Sequence, residues 1–518
     1  MEQRVVLYVI LMNAAWLTWA ALRSRDRMNR PQTIQYGIVL ALAVLSLATP
    51  QETALFWATV IAGILLVFLP VQLFVIISEN RRLTPIAALI LPYFWWGRNG
   101  EALGEIGVAR TFLAQGRIDD AERIIAKWIS VPLSHMVRIQ LGILIVYSAY
   151  IRRDWRSVLE RAAPLLAIRD VQIAAARALA ELQNPEQAIL LLQNTLEKPL
   201  PRHLELPWRA AELSVFAAAG DLERINLTAA DDGVRCQLLP RGALNYWRGR
   251  ALLATGNVAD AAPYLKMAEQ ETSEQDPAAA VAVRTVMDEA EEYRRSPVTD
   301  GYSVAAHAYI GRRREMAPWL NMFSAGIRTP TISAIVTVVV GIAIVVSLLN
   351  LSPGSPELAP YLNVGLWTVG QNQYYRLFTA MFLHSGALHV LLNATVLWMF
   401  GRPAERVWGS AGVALVYLAS GMGGHLISAL WHENAASIGA STGVYGVVAL
   451  FALTFVRYRT TGLDAFRNRT LRFLGILIIL DIALSLTEEQ IDTAGHVGGL
   501  LVGLALGLLL NRHKHPKP

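Results

Sequence analysis

Hydrophobic positions along the chain follow three patterns. Apolar residues run almost unbroken over Val5–Leu22, Tyr36–Ala48 and Ala54–Ile77. Such runs predict bilayer-crossing helices, which need about 20 residues; Tyr36–Ala48 is short for one. The first run is followed by the basic stretch Arg23–Arg30 rather than by small, cleavable residues, so it reads as a retained anchor and not a secretory signal. Leu89–Trp96 is too short to cross, and its tryptophans suit an interfacial position. From about Gly100 to Pro318 the apolar residues become helically spaced and charges return. Beyond Arg328 the long runs resume, at Thr331–Leu351, Ala387–Phe400, Ala411–Trp431, Ser437–Val456, Phe473–Leu486 and Ala494–Leu510. The pattern predicts an all-α polytopic membrane protein. Residues 1–82 form an N-terminal transmembrane region, 83–325 a helical domain and 326–518 a six-helix membrane domain.

The middle region contains a weak repeat. Ala109–Ala121 (ARTFLAQGRIDDA) matches Gly249–Ala261 (GRALLATGNVADA), and Ala176–Ala188 is a looser copy. Each reads as helix, tight turn, helix, with alanines that let the two helices approach. This resembles the tetratricopeptide pattern of stacked helix pairs. By that analogy the region offers a concave surface for cytoplasmic protein partners.

Composition agrees: 54% of the 518 residues are hydrophobic and 17% charged. The single cysteine, Cys236, excludes an internal disulfide. A net charge of +6 can signal nucleic acid, but here the arginines cluster beside apolar runs. Membrane sidedness explains them without any nucleic-acid partner. Arg312–Arg314, Arg328, Arg402, Arg406, the arginines between Arg457 and Arg472, and Arg512 fall at alternate ends of the six runs. Pro353–Gln373, His432–Asn434 and Glu488–Glu489 mark the opposite side. The helical domain is therefore expected in the cytoplasm and the N-terminus outside.

Few polar residues interrupt the membrane runs, and such residues are functional candidates. His389 and Asn393 lie four apart near the start of the second run, with His384 just before it. Ser441 opens the fourth run inside Gly439-Ala-Ser-Thr-Gly443, and His496 opens the sixth. On the topology above all five sit at similar depth, toward the outer face. Gly499, Gly503 and Gly507 continue the His496 stripe and permit close helix contact. A serine hydroxyl needs a neighbouring base to act as a nucleophile. Its anionic intermediate needs N–H donors, which His389, Asn393 and the Ser441 backbone can supply.

Together these residues resemble the rhomboid family of intramembrane serine proteases. The likeness rests on Tyr375-Arg376, the His384/His389/Asn393 spacing, Gly401 with Glu405, Gly439-Ala-Ser441, Tyr445, and Gly495-His496 with Gly499 and Gly503. It implies Ser441 as nucleophile and His496 as general base, with no cofactor and no metal. His389 and Asn393 become oxyanion-stabilising groups, Gly439 permits close backbone approach, and Tyr445 stacks on His496. His384 braces the first loop, while Arg376 and Glu405 are ion-pairing, fold-supporting residues. The substrates implied are transmembrane proteins, and the first loop meets membrane lipids. Two positions depart from the pattern. Thr442 stands where a glycine is usual and is expected to crowd the oxyanion site; Tyr375 replaces a tryptophan.

Three other readings compete. Gly-x-Ser-x-Gly also marks the nucleophile turn of soluble α/β-hydrolases, which requires a strand before Ser441 and an acid partner, for which Asp481 and Asp492 are available. His384, His389, His425, His496 and Glu405 offer metal donors, but His432-Glu433 lacks the second histidine of a zinc helix. A catalytically inactive rhomboid-like protein that binds membrane clients is the third; here both reacting residues are present.

Overall fold

The fold is that of a computed structural model. It describes residues 30–49, 51–78, 83–197, 200–231, 239–273, 277–290, 299–323, 329–459 and 492–512, with scattered positions within 7–22 and 474–478. Most of Val5–Leu22 and of Phe473–Leu486, and all of Cys236 and Asp481, lie outside these residues. The described chain is an all-α polytopic membrane protein. Six of its helices are long and apolar enough to cross a membrane. It divides into two compact units, Met1–Leu196 with Pro201–Arg312, and Glu197–Leu200 with Arg313–Pro518.

In the first unit the second and third apolar runs form Arg30–Ala48, and Thr53–Gly63 continuing through a π turn at Ile64–Phe68 into Leu69–Ser78. Leu89–Phe94 belongs to the helix Thr84–Phe94, whose Ala88 and Leu91 are buried. One apolar cluster joins Leu73 and Ile77 to Leu91, Leu103, Ile106 and Trp128. The apolar helices and the first amphipathic ones thus share a core.

Among the described residues five helical hairpins follow, with one turn geometry. The second residue after each first helix is left-handed: Gly116 (φ 75°), Arg153 (57°), Gln183 (61°), Gly220 (71°) and Gly256 (84°). Each donates its N–H three residues back, and the next residue donates five back, as Asp221 N–H does to Phe216 O and Asn257 N–H to Leu252 O. This pairing closes the carbonyls that a helix end leaves open. That next residue also starts the second helix: Asp154 and Asp221 accept the N–H groups of Ser157 and Arg224.

In the second unit, α1 spans Pro330–Leu348. A long loop follows, carrying β1 (Asn363–Val364), a π turn at Leu366–Gly370 and the short helix Arg376–Thr379. The chain bends by 96° between Arg376–Phe382 and the stretch Ala387–Trp408. That stretch is α2 (Ala387–Val396), a π turn at Leu397–Gly401 and α3 (Arg402–Trp408). Then come α4 (Ser410–Trp431), β2 (Ala436–Ser437), α5 (Ser441–Arg459) and α6 (Thr493–Arg512). β1 and β2 pair antiparallel, Asn363 with Ser437 and Val364 with Ala436.

Among the described residues, Arg376 and Glu405, expected as ion-pairing and fold-supporting residues, make contacts chiefly to main-chain and uncharged groups. Arg376 donates to the carbonyls of Ala359 (2.6 Å) and Leu362 (3.0 Å) and to Gln373 Oε1 (2.6 Å), and its guanidinium lies 4.9 Å from the Trp367 ring. It clamps the long loop from inside. Glu405 accepts the backbone N–H groups of Thr331 (2.9 Å) and Ile332 (3.0 Å) and the Ser410 hydroxyl (2.7 Å). A carboxylate there satisfies open donors and meets the positive end of α1's dipole.

Candidate active site

Helices α4, α5 and α6 meet through glycines. A Cβ at Gly499 would fall on the Thr442 carbonyl, and one at Gly503 would lie 2.5 Å from Gly446 Cα. A Cβ at Gly443 would lie 2.8 Å from the Tyr417 ring, so this glycine packs helices rather than completing a turn. Backbone-to-backbone approach of this kind brings side chains on α5 and α6 within bonding reach. Ser441 opens α5 and His496 lies on the first turn of α6. Ser441 Oγ lies 2.8 Å from His496 Nε2. The Tyr445 ring, one turn beyond Ser441, stacks on the His496 imidazole at 4.7 Å and 17°. It holds the ring plane edge-on to the hydroxyl.

Gly439 has φ 125°, a conformation that side chains other than glycine's rarely adopt. A Cβ there would also stand 3.0 Å from His389 Nε2 and 3.7 Å from Ser441 Oγ. His389 Nδ1 and the Ser385 hydroxyl are 3.0 Å apart. With Ser385 donating to Nδ1, the ring proton sits on Nε2, on the side of Gly439 and Ser441. Asn393, one turn along α2, is 8% exposed, and its Nδ2 has no hydrogen-bond partner among the described residues. His384 stands edge-on to His389, ring centres 4.9 Å apart, and its Nε2 accepts the Ala440 N–H at 3.5 Å. Because Ser441 begins a helix, its own N–H has no partner one turn back. His389 Nε2 and Ser441 Oγ thus flank Gly439, and Asn393 follows His389 by one turn of α2.

Thr442 does not crowd this space. Its side chain is buried toward α4, with the hydroxyl donating to Gly421 O at 3.2 Å and Cβ facing Gly424. Glycines on α4 supply the room that the threonine needs.

A polar chain lies behind the pair. His425 is 1% exposed; its Nδ1 is 3.0 Å from Ser437 Oγ and its Nε2 3.3 Å from Gly439 O. Ser437 Oγ also bonds Asp492 Oδ2, and Asp492 Oδ1 accepts the Gly495 N–H at 2.8 Å. The Asp492 carboxylate is thus spent on Ser437 and the start of α6. The strand before Ser441 is two residues in a two-stranded sheet, unlike the sheet an α/β-hydrolase requires. Among the described residues no three histidine, cysteine or acidic side chains converge as a metal site. Sequence reading did not assign Ser385 or Ser437 and considered His425 only as a metal donor. The signal available was the placement of Ser385 four residues before His389 and of Ser437 two before Gly439.

Residues 371–513 match the family profile described as the rhomboid domain. RHOMBOID-like protein 6, mitochondrial, of Arabidopsis thaliana is 33% identical over 140 residues, 27% of this chain and 44% of the relative. Rhomboid protease GluP of Bacillus subtilis is 34% identical over 148 residues, 27% of each chain. Rhomboid-type serine protease 2 of Emericella nidulans is 34% identical over 145 residues, 27% of this chain and 28% of the relative. The chain thus spans less than half the length of these relatives, and the stretch matched by the rhomboid-domain profile contains the Ser441–His496 pair. By this match, residues 371–513 of the membrane unit are similar to the rhomboid domain.

Proposed function

We propose that the protein is a rhomboid-type intramembrane serine endopeptidase acting through a Ser441–His496 dyad. The observation that carries this reading is the 2.8 Å contact between Ser441 Oγ and His496 Nε2 beneath the stacked Tyr445 ring. As Ser441 Oγ attacks a peptide carbonyl, its proton passes to His496 Nε2. The oxyanion receives the Ser441 N–H, His389 Nε2–H and an Asn393 amide N–H. His496 then gives its proton to the departing amine, and water hydrolyses the acyl-enzyme by the same route. The substrates are single-span or other transmembrane proteins, whose helix must unwind locally to expose the bond; residues with poor helix propensity lower that cost.

On the arginine pattern, the site opens to the outer side of the cell membrane and the helical hairpins lie in the cytoplasm. The shared turn geometry supports a tetratricopeptide-like domain there. A cavity of about 320 Å³ lined by Trp155, Arg177, Tyr246, Trp247 and Arg241 supports its use in binding partners. The decisive experiment pairs fluorophosphonate labelling with cleavage of a model single-span protein in liposomes. The parent protein labels at Ser441 and cleaves; Ser441→Ala and His496→Ala do neither. Unchanged cleavage by Ser441→Ala overturns the dyad.

A further inference from the structure

His425, Ser437 and Asp492 join the two halves of the dyad from behind, and this inference rests on the dyad reading. Ser437 ends β2 and Gly439 follows two residues later on the way into Ser441; Asp492 lies one turn before His496. His425 comes from the middle of α4, between them. Its own carbonyl accepts Asn363 Nδ2 at 2.8 Å, and Thr368 fixes that amide by donating to Asn363 Oδ1 at 2.8 Å. The ring is thus held where the serine strand, α6 and β1 meet.

Counting protons shows what this chain needs. Three contacts link Gly439 O, His425, Ser437 and Asp492, and each hydrogen bond uses one proton. A carbonyl only accepts, so His425 Nε2 carries a proton. Ser437 has one hydroxyl proton to donate. If it goes to Asp492, His425 Nδ1 must also be protonated, and an imidazolium faces the carboxylate. If it goes to Nδ1, Asp492 must be the protonated acid and donate to Ser437. A neutral imidazole and an ionised carboxylate are one proton short. In both complete arrangements the set is neutral overall, which suits a buried position.

We propose that His425, Ser437 and Asp492 form a positioning relay that holds one shared proton and sets the separation of Ser441 from His496. They act through the Gly439 carbonyl on one side and the start of α6 on the other. Losing a link releases the Gly439 carbonyl and loosens the serine. Misplacement by about 1 Å costs on the order of 100-fold in rate.

The relay makes a prediction that simple packing does not. Asp492→Asn supplies an amide that accepts from Gly495 and donates to Ser437, which then donates to a neutral His425. All links are completed without the shared proton. In full-length protein in liposomes, Asp492→Asn should therefore keep most of its kcat. Asp492→Ala, Ser437→Ala and His425→Ala should each lose about 10- to 100-fold in kcat with KM nearly unchanged. The rate of fluorophosphonate labelling at Ser441 should fall in parallel. Combining Ser437→Ala with His425→Ala should cost little more than either alone, because one chain is broken once. Ser437→Ala removes a single oxygen, so it serves even where His425→Ala does not fold. An Asp492→Asn protein as slow as Asp492→Ala, or a Ser437→Ala protein as fast as the parent, overturns the relay while leaving the dyad intact. A parent that does not label at Ser441 overturns the dyad and the relay together.

Discussion

Helices approach closely in both units, but by different means. In the hairpins many contact residues are alanines, with Ala109, Ala121, Ala176, Ala188 and Ala261 all fully buried, and Gly249 joins them against Leu265. Each methyl fills the gap it creates, and the turn residue sets the angle. In the membrane unit the contacts are glycines whose missing methyl would strike a neighbouring backbone, as at Gly499 and Gly503. The polar residues differ too. In the hairpin unit, buried charges meet one another: Arg209 with Glu212, which also accepts the Tyr309 hydroxyl at 2.9 Å, and Arg250 with Glu181 at 2.9 Å. In the membrane unit Asn393 keeps an amide N–H without a partner among the described residues. Buried charge pairs brace the hairpin unit, whereas the Asn393 amide stands in the proposed oxyanion site.

This contrast can be broken by substitution. The largest effect is expected at Glu212→Ala, which removes the carboxylate beside the buried Arg209 and should destabilise the hairpin unit by about 3–5 kcal/mol. Denaturant melting followed by proteolysis of residues 200–231 measures it, and the labelling rate of Ser441 should not change. If labelling falls equally, the two units are not energetically separate. Asn393→Ala should do the reverse. Its kcat should drop about 10²- to 10³-fold, as for loss of one oxyanion donor, with little change in melting. A stability loss as large as that at Glu212 would make Asn393 a structural residue.

Smaller effects sharpen the account of the turns. Gly220→Ala puts a methyl against Thr255 in a left-handed conformation and should cost about 1–2 kcal/mol. Arg153→Gly relaxes the same conformation and should stabilise its hairpin by up to about 1 kcal/mol, read as slower hydrogen exchange in Tyr147–Asp154. If it destabilises instead, the Arg153 side chain contributes more than its backbone costs.

Which parts could be read from sequence follows from how far apart their partners lie. The Ser441–His496 pair was legible because each residue opens an apolar run and glycines recur at helical spacing beside it. Three of the five hairpins were legible through their repeated alanines. The Arg153 hairpin was not, because a left-handed arginine carries no glycine to mark the turn. The Gly220 hairpin has the glycine but lacks the flanking alanine pattern. Glu405 was read as an ion-pairing residue because its partners, two backbone amides some seventy positions earlier, leave no trace in residue type. Thr442 was expected to crowd the site because its direction depends on α4, where Gly421 and Gly424 make room. The His425 relay spans three segments, and only their folded arrangement reveals it.

The pairing of β1 with β2 has a mechanical consequence. Two residues of the long loop are hydrogen-bonded to the strand that ends two residues before Gly439. The same loop is cinched by Arg376 and presents Tyr361, Leu366 and Phe378 at its surface. A force on that surface, such as a change in the thickness of the surrounding lipid, is therefore delivered along main-chain bonds to the peptide beside Ser441. The loop is wired to the nucleophile as a lever is to a latch.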